Sequence, residues 1–316
     1  LTSSGLQPHH ISASPVDPAE MQSLGFQPHP ALRIRYLHPL TQEPLKPRPH
    51  WPEFVRYRYL VDVPNAVGKK PIRYTQPPNT GGCAFFPPTL DWKTIFDNNT
   101  TILITEGELK AAKACERGFP TIGLGGVWNF MGNAACTGFL PELQIIPWPR
   151  RKVLIVYDSD ARTKPDVCKA LNALAHELEL RGALPFTVML PELTGEQKCG
   201  LDDYFLDNPD PQAFKDFIRN NEQSLTLAQP LWEMNEEFAY VHDPGIVVNT
   251  SSGQLLNAAS FLTGAGNRLV TERKLADDGT VSMKGKPLAP AWMKWPLRRE
   301  HRRLTYLPGQ QTTPDE

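Results

Sequence analysis

The chain has 316 residues, 40% of them hydrophobic, and a formal net charge of −1, which is enough apolar material for two or three domains. No apolar run approaches the roughly 18 residues of a membrane-spanning helix and no signal peptide is recognisable, so neither a membrane protein nor an exported protein is expected. Five widely spaced cysteines without a C-x-x-C pair argue against a structural zinc site and a disulfide framework, and a reduced, cytoplasmic location is expected.

The composition divides the chain into three predicted domains. Residues 1–95 are rich in Pro, Arg and Tyr and contain alternating runs, such as residues 54–60, that predict half-exposed strands of a basic α+β subdomain. Residues 96–225 alternate strand and helix patterns. Residues 226–316 are mixed and end in a basic segment, which we interpret as a connector or accessory domain.

The first domain contains a strongly basic segment. Between residues 31 and 75, nine Lys and Arg residues accompany three acids, a local charge of +6. Aromatic residues are interleaved with these bases: Tyr36, Trp51, Phe54, Tyr57, Tyr59 and Tyr74. This mixture suits single-stranded nucleic acid, whose phosphates bind cations and whose bases stack on rings. An ordinary strand surface whose aromatic side chains point into the core explains the same pattern equally well. The best candidates for contact with template or nucleotide are Arg56, Arg58 and Arg73.

The middle domain has the pattern of an α/β sheet. Short apolar runs predict buried strands, and the Ala-rich or amphipathic segments between them predict helices. In chain order we expect strand 101–105, helix 107–117, strand 119–124, strand 152–157, a helix from Pro165 to Gly182, strand 186–190 and a short helix from Leu201. Gly118 suits the left-handed position that ends a helix, and the second helix is expected to stop at Gly182. This alternation predicts a mostly parallel sheet flanked by helices.

Acidic residues directly follow two of these strands. Glu106 follows the first strand, and Asp158 and Asp160 follow the third. Open α/β sheets place ligands at the carboxyl ends of their strands, and carboxylates gathered there repel one another unless a cation such as Mg²⁺ or Mn²⁺ joins them. If the chain stays extended after the strand, Asp158 and Asp160 point the same way and share one metal. Asp202, at the start of the last helix, is a further candidate ligand.

Each of these residues also has a purely structural interpretation. A Glu before a helix usually complements the helix dipole, Asp-x-Asp is common in loops, and Asp202 with Asp203 suits a helix N-terminus. Lys110 and Lys113 lie one and two turns into the helix after Glu106, where they could reach a phosphate. Equally, they could form a solvated face that includes a Glu106–Lys110 pair. Acids at the ends of several strands together favour a metal site.

Four motifs in series resemble the TOPRIM domain shared by bacterial primases, topoisomerases and some nucleases. More narrowly, they resemble the TOPRIM-like domain of phage, plasmid and mobile-element primases. They are Thr105-Glu106-Gly107-Glu108-Leu109-Lys110-Ala111-Ala112, Ile122-Gly123-Leu124-Gly125-Gly126-Val127-Trp128, Val156-Tyr157-Asp158-Ser159-Asp160 and Gly200-Leu201-Asp202-Asp203-Tyr204-Phe205. The resemblance covers residues from about 15 to 210. It implies that Glu106, Asp158 and Asp160 are catalytic residues that bind the metals of nucleotidyl transfer, with Glu106 acting either as a ligand or as a general base. Replicative primases have Asp-Pro-Asp where this chain has Gly200-Leu201-Asp202, so a metal role for Asp202 has less support.

The resemblance implies a DNA primase, a Mg²⁺-dependent nucleotidyltransferase that makes short primers on single-stranded DNA from nucleoside triphosphates. Primases of this type combine a basic N-terminal subdomain with the metal-binding fold, which favours nucleic-acid contact by the basic segment. Two alternatives stay open: a metal-dependent TOPRIM nuclease, and a non-catalytic nucleic-acid-binding module of a replication system.

Any helicase partner is expected outside this sequence. Residues 231–309 weakly resemble the segment between primase and helicase in phage and plasmid replication proteins. The sequence contains no Gly-x-x-x-x-Gly-Lys-Ser/Thr loop, so a helicase would lie on a longer form of the polypeptide or on another chain. Because the sequence begins with Leu1 rather than Met, we expect a fragment of a longer protein.

Overall fold

The computed structural model describes residues 5–46, 52–66, 69–132, 138–162, 164–192, 198–225, 229–275, 281–295 and 298–304. The chain divides into two compact units, Leu1–Leu225 and Thr226–Glu316. Helices and sheets of mixed strand orientation make up both units, so the predicted α/β class is confirmed. None of the described helices is long and apolar enough to cross a membrane.

The first unit begins with a four-stranded antiparallel sheet. In spatial as in chain order its strands are β1 (Ala13–Val16), β2 (Ala31–Arg35), β3 (Val55–Val63) and β4 (Ile72–Thr75). A 3₁₀ helix (Pro8–Ile11) precedes the sheet, and α1 (Pro18–Ser23) lies between β1 and β2. From Val55 to Tyr59, side chains alternate between a buried and a half-buried face of β3, as the alternating sequence predicts.

A second, six-stranded sheet occupies the centre of the first unit. Its elements in chain order are β5 (Ala84–Phe85), α2 (Trp92–Asp97), β6 (Ile102–Glu106), α3 (Glu108–Glu116), β7 (Thr121–Leu124), α4 (Pro141–Gln144), β8 (Lys152–Ile155), a 3₁₀ helix (Ser159–Arg162), α5 (Pro165–Leu180), β9 (Leu184–Thr187), α6 (Leu201–Asp207), α7 (Pro211–Asn221) and β10 (Gln223–Ser224). The spatial order is β10-β9-β8-β6-β7-β5. The inner four strands are parallel, and the edge strands β10 and β5 are antiparallel to their neighbours.

The predicted elements of this sheet are found with boundaries shifted by one to three residues. The largest shift is in the strand expected at 186–190, which lies at Leu184–Thr187 because those residues pair with Lys152–Ile155 of β8. The two predicted helix-ending glycines are confirmed, since Gly118 and Gly182 have φ of +84° and +80°.

The central strands are buried on both faces, as their unbroken apolar sequences predict. On one face, Leu103 and Leu154 pack in a cluster with Phe205 and Phe214 from α6 and α7. Burying a side chain of this size contributes roughly 1.5–3 kcal/mol. This packing holds α6 against the sheet, which positions the start of that helix beside the ends of β6 and β8.

The first sheet packs against α3. Ile34, Tyr36 and Phe54 from the sheet share one apolar cluster with Leu109 and Ala112 of the helix. The opposite face of the sheet is covered separately, in a cluster that includes Val16, Met21, Val55, Tyr57 and Tyr59. The contact with α3 brings β3 close to the first turn of that helix.

The second unit has its own small core. Its elements are α8 (Gln229–Glu237), β11 (Phe238–Asp243), β12 (Ile246–Asn249), β13 (Leu255–Leu256), α9 (Ala258–Gly264), β14 (Leu269–Leu275), β15 (Val281–Pro287), α10 (Leu288–Met293) and β16 (Glu300–Arg303). One sheet has the order β13-β12-β11-β16, and β14 pairs with β15 in a hairpin. The rings of Phe238, Phe261 and Trp292 contact one another at its centre.

Candidate functional site

Glu106 and Asp158 lie at the same edge of the central sheet. β6 and β8 are adjacent and parallel, with Ile104 beside Ile155, and the Val156 N–H donates to the Ile104 carbonyl at 2.9 Å. Glu106 is the last residue of β6, and Asp158 follows the last residue of β8 by three positions. Paired strands lie about 4.8 Å apart, so the ends of these two strands form one local surface, which we call the carboxyl edge.

Asp158 is a buried carboxylate that two lysines neutralise. Its side chain is only 3% exposed. Lys110 Nζ, from the first turn of α3, lies 2.5 Å from Asp158 Oδ1 and 2.6 Å from Oδ2. Lys198 Nζ lies 2.6 Å from Oδ2. Charge-assisted hydrogen bonds of this length compensate the cost of burying the carboxylate. Lys110 therefore pairs with Asp158 and not, as one interpretation of the sequence proposed, with Glu106.

Glu106 is half-buried, and its side chain has no hydrogen bond or ion pair to any residue that the structure describes. Burial, and then the negative charge of Glu106, raises the pKa of the neighbouring Tyr157 hydroxyl. The next residue, Gly107, has φ +104° and is the N-cap of α3. Because few residues other than glycine adopt that conformation, Gly107 allows the strand to pass directly into the helix and leaves Glu106 at the junction.

The N-terminus of α6 brings another carboxylate towards Lys110. Asp203 Oδ2 accepts the Gly200 N–H at 2.9 Å, so Asp203 caps the helix. Asp202 Oδ1 is buried and has no hydrogen-bond partner within the described part of the chain. A Cβ atom on Gly200 would lie 2.8 Å from both Asp202 Oδ1 and Lys110 Cε, so these two side chains approach one point. Burial, and then the charge of Asp203, raises the pKa of Asp202, while Lys110 acts in the opposite direction.

The chain turns immediately after Asp158. Ser159–Arg162 form a 3₁₀ helix, and the Ala161 N–H donates to the Asp158 carbonyl at 2.9 Å. The condition for Asp158 and Asp160 to point the same way, an extended chain after β8, is therefore not met. The side chain of Asp160 lies outside what the structure describes.

The chemistry of the carboxyl edge fits a hard divalent cation on one condition. Its donors are carboxylate oxygens, which Mg²⁺ and Mn²⁺ prefer, and Asp202 Oδ1 is buried without a partner. However, no three His, Cys, Asp or Glu side chains of the described residues are grouped closely enough to hold a metal ion. Both Asp158 oxygens are instead bonded to ammonium groups. A cation could bind Asp158 only in place of one of these ammonium groups.

A second buried ion pair also involves the first turn of α3. Glu108 is 1% exposed, and its Oε1 accepts hydrogen bonds from Arg56 Nη1 and the Tyr36 hydroxyl, both at 2.5 Å. The guanidinium lies 4.7 Å from the centre of the Tyr74 ring. Burial opposes the charge of Arg56, but the Glu108 carboxylate together with Tyr36 and Tyr74 outweighs it, so the pKa of Arg56 lies above its usual value. Burial, and then the charge of Glu108, raises the pKa of Tyr74 to about 12.

The glycine loop after β7 leaves room for the Arg56 guanidinium. A Cβ atom on Gly125 would lie 2.5 Å from Arg56 Nη1 and 3.2 Å from Cζ. Gly125 follows β7 directly, whereas Arg56 belongs to β3 of the first sheet. The Arg56 side chain therefore connects the first sheet to the loop and to the start of α3, and it positions these elements relative to one another.

The other basic candidates have different surroundings. Arg73 is 72% exposed and lies 3.9 Å from Asp62, another exposed residue. Lys113 is buried and pairs with Glu116 at 2.8 Å, so the interpretation that placed it on a solvated face is wrong. Of these two residues, only Arg73 presents its charge to solvent.

Most aromatic residues of the basic segment belong to the core. Four of them are only 0% to 6% exposed: Tyr36, Phe54, Tyr57 and Tyr59. The interpretation that these rings stack on bases is wrong, because the alternation of the strands turns them inward. Tyr74 is half-buried and accepts a hydrogen bond from Arg58 Nη1 at 2.7 Å. Trp51 lies outside the described residues.

Two residues of the site, Glu108 and Lys198, had only weak signals in the sequence. Glu108 belongs to the first motif, but its partner Arg56 is 52 positions away, so the pairing depends on the packing of the first sheet on α3. Lys198 lies two positions before Gly200. A lysine just before a helix that begins with two acids was a usable signal, although its contact with Asp158 depends on the fold.

Comparisons with known proteins gave one family match. The model of a family described as a domain of unknown function (DUF3854) matches residues 91–210, a range that includes all four motifs. No curated protein matches the sequence.

Two solved primase structures are similar to the chain at a low level. The crystal structure of the Aquifex aeolicus primase (zinc binding and RNA polymerase domains) aligns with a TM-score of 0.37 and 15% identity, over 65% of this chain and 43% of that one. The RNA polymerase domain of Mycobacterium tuberculosis primase DnaG aligns with a TM-score of 0.38 and 14% identity, over 69% of this chain and 67% of that one. The alignment thus covers less than half of the Aquifex chain.

Proposed function

We propose that this chain is a TOPRIM-type DNA primase that makes short primers on single-stranded DNA for replication of a phage, plasmid or mobile element. The observation that carries the proposal is the parallel pairing of β6 with β8, which brings Glu106 and Asp158 to one edge. Lys110 and the start of α6 lie at the same edge. The four motifs that resemble TOPRIM primases supply the residues of this edge.

Carboxylates are the proposed metal ligands. Glu106, Asp158 and Asp160 would hold Mg²⁺ or Mn²⁺, with Asp202 as a further ligand. The bound metal would activate a 3′-hydroxyl and neutralise the triphosphate and leaving pyrophosphate. Lys110 would bind a substrate phosphate, to which an ammonium group offers three donors.

The first sheet is the proposed support for the template. Arg73 is exposed and Arg58 is half-buried beside Tyr74, so both can contact backbone phosphates. Arg56 is committed to Glu108 and is assigned to positioning α3. Replacing Arg73 with Ala should weaken single-stranded DNA binding about equally for all sequences and reduce its salt dependence by about one phosphate contact.

Primer synthesis tests the proposal. The full chain is incubated with single-stranded templates, ribo- or deoxynucleoside triphosphates and Mg²⁺ or Mn²⁺, and short products are resolved on a denaturing gel. Asp158→Asn should lower the rate at least about 1,000-fold, which corresponds to about 4 kcal/mol of activation free energy. Asp97→Asn is the matched control, because Asp97 is an exposed acid on α2 that pairs only with Lys93 in the described structure.

Two other outcomes would contradict the primase proposal and favour one of the two alternative functions. Nicking of supercoiled plasmid that Asp158→Asn abolishes, without primer synthesis, would indicate the nuclease alternative, which uses the same metal site. DNA binding that survives Asp158→Asn, with no turnover on any template, would indicate the non-catalytic module. The second alternative has one specific observation in its favour, namely that ammonium groups already satisfy both Asp158 oxygens.

A further inference from the structure

We propose that Lys110 is an exchangeable counter-cation: it holds Asp158 before metal binds, is displaced from Asp158 by the divalent cation, and then binds the triphosphate of the incoming nucleotide. This inference rests on the proposed function, since it assigns a regulatory role to a residue of the same site. It makes metal binding and nucleotide binding interdependent.

The contacts of Asp158 leave little room for a metal while both lysines stay in place. Lys110 Nζ contacts both carboxylate oxygens, and Lys198 Nζ contacts Oδ2. A divalent cation binds a carboxylate oxygen at about 2.0–2.6 Å, which would bring it close to an ammonium nitrogen on the same oxygen. The repulsion between these positive charges is strong in a buried setting. A metal ion on an Asp158 oxygen and the Lys110 ammonium on the same oxygen therefore exclude one another.

The position of Lys110 in its helix supports a role beyond local stability. Lys110 is the third residue of α3, where the partial positive charge of the helix N-terminus disfavours a cation. Its stem passes Gly200, where a Cβ would lie 2.8 Å from Cε. A side chain larger than hydrogen at position 200 would therefore obstruct the Lys110 stem. The chain keeps a cation in an unfavourable helix position and leaves space for its stem.

The charges at the carboxyl edge explain why nucleotide and metal would bind together. In the described structure Lys110 has the Asp158 carboxylate as its counter-charge. A divalent cation bound to Asp158 would take that carboxylate and leave Lys110 without it. A triphosphate supplies that counter-charge and accepts hydrogen bonds from the displaced Lys110. Each ligand thus favours the other, as linkage requires.

Binding of Mn²⁺ to the full chain, measured from the loss of the free-ion signal in electron paramagnetic resonance, tests the proposal. Lys110→Met removes the competing ammonium, so its Mn²⁺ dissociation constant should fall at least about tenfold, which is about 1.4 kcal/mol. Asp158→Asn should abolish this site in both backgrounds. Lys93→Met is the matched control, because it removes an exposed lysine of α2 and should leave Mn²⁺ affinity unchanged.

A nonhydrolysable nucleoside triphosphate gives the second measurement. It should tighten Mn²⁺ binding by a larger factor in the wild type than in Lys110→Met, because only the wild type has an ammonium group to transfer to the phosphates. Lys198→Met, which changes a side chain that is 48% exposed, provides a second variant should Lys110→Met fail to fold. It should also tighten Mn²⁺ binding, by a smaller factor.

Two results would overturn the proposal. If Lys110→Met binds Mn²⁺ no more tightly than the wild type while Asp158→Asn abolishes binding, Lys110 does not compete and the metal site itself stands. If no variant binds Mn²⁺, both the exchange and the metal-dependent function fail. If Lys110→Met binds Mn²⁺ more tightly but the wild type makes no primers, the inference about Lys110 is supported and the nuclease alternative is favoured over the primase.

Discussion

Two buried ion pairs attach distant parts of the chain to the first turn of α3, yet their surroundings differ. The side chains of Arg56 and Glu108 are 13% and 1% exposed, and those of Lys110 and Asp158 are 20% and 3% exposed. The degree of burial and the type of pair are therefore similar. What separates them is the set of groups around each pair.

The Arg56–Glu108 pair is closed, because rings and a loop enclose it, although Arg56 Nε is buried without a hydrogen-bond partner among the described residues. The Tyr36 hydroxyl donates to the same carboxylate oxygen, and the Tyr74 ring lies against the guanidinium. Gly125 also contacts the guanidinium so closely that a Cβ atom at that position would clash with it. The Lys110–Asp158 pair is open by comparison, because Lys198 is half-exposed and Asp202 Oδ1 has no described partner. The difference is one of access: a half-exposed lysine and a second carboxylate adjoin the Lys110–Asp158 pair, whereas aromatic rings and a loop enclose the Arg56–Glu108 pair.

The largest effect on stability is expected from breaking the closed pair. Glu108→Ala leaves the Arg56 guanidinium buried without its partner, and the free energy of unfolding should fall by about 3–5 kcal/mol. Urea denaturation of the full chain measures this change. Asp62→Ala is the control, because it removes the acid of an exposed pair and should have no measurable effect. A loss similar to that of the control would show that the pair does not hold the sheet to α3.

The next largest effect on stability is expected from the glycine loop that contacts Arg56. Gly125→Ala places a Cβ against the Arg56 guanidinium and should cost about 1–3 kcal/mol of unfolding free energy. Gly126→Ala is the matched control, since its nearest atoms would lie at 3.6 Å, an ordinary contact. Denaturation midpoints of the two variants give the difference.

A companion variant identifies the cause. If the clash with Arg56 is responsible, Gly125→Ala should cost less in an Arg56→Met background, where a flexible thioether replaces the guanidinium. Equal costs in both backgrounds would assign the effect of Gly125→Ala to the loop backbone instead.

The smallest effect on stability is expected at Asp202, beside the Lys110–Asp158 pair, and it depends on pH. Burial, and then the charge of Asp203, raises the pKa of Asp202. A carboxyl group with a raised folded-state pKa favours folding while it is protonated, and this contribution is lost as the pH rises through that pKa. Asp202→Asn stays neutral, so its stability relative to the wild type should increase as the pH rises from about 3 to 7.

Thermal denaturation of both proteins across this range measures the trend. Added Mn²⁺ should reduce the advantage of Asp202→Asn at neutral pH, because it compensates the wild-type carboxylate. A stability difference that does not change with pH would contradict the assignment of a buried, unsatisfied carboxylate at this position.

The sequence predicted much of the central sheet and little of the pairing around it. Strand and helix signals are local, so the elements from β6 to α6 were expected close to where they lie. The position of Glu106 and Asp158 also follows from local patterns, because strand ends can be read from the sequence. The conformation after Asp158 was missed, because a 3₁₀ turn and an extended chain were not distinguishable from the Asp-Ser-Asp sequence.

Contacts between distant residues could not be predicted in this way. The partner of Glu108 comes from β3, and the partners of Asp158 come from α3 and from the segment before α6. Each depends on how elements pack in three dimensions. The aromatic residues of the basic segment show the same limit, since their alternation fitted a nucleic-acid surface and a buried face equally until the sheet was seen to pack on both sides.

The most direct test of the account is a crystal structure of the full chain soaked in Mn²⁺, with anomalous scattering used to locate the ion. The account predicts an anomalous peak at coordination distance, about 2.0–2.6 Å, from the Asp158 carboxylate on the side of Glu106, with Lys110 Nζ moved away from Asp158. A structure at saturating Mn²⁺ that has no peak at the carboxyl edge, with Lys110 Nζ still bonded to both Asp158 oxygens, would contradict it.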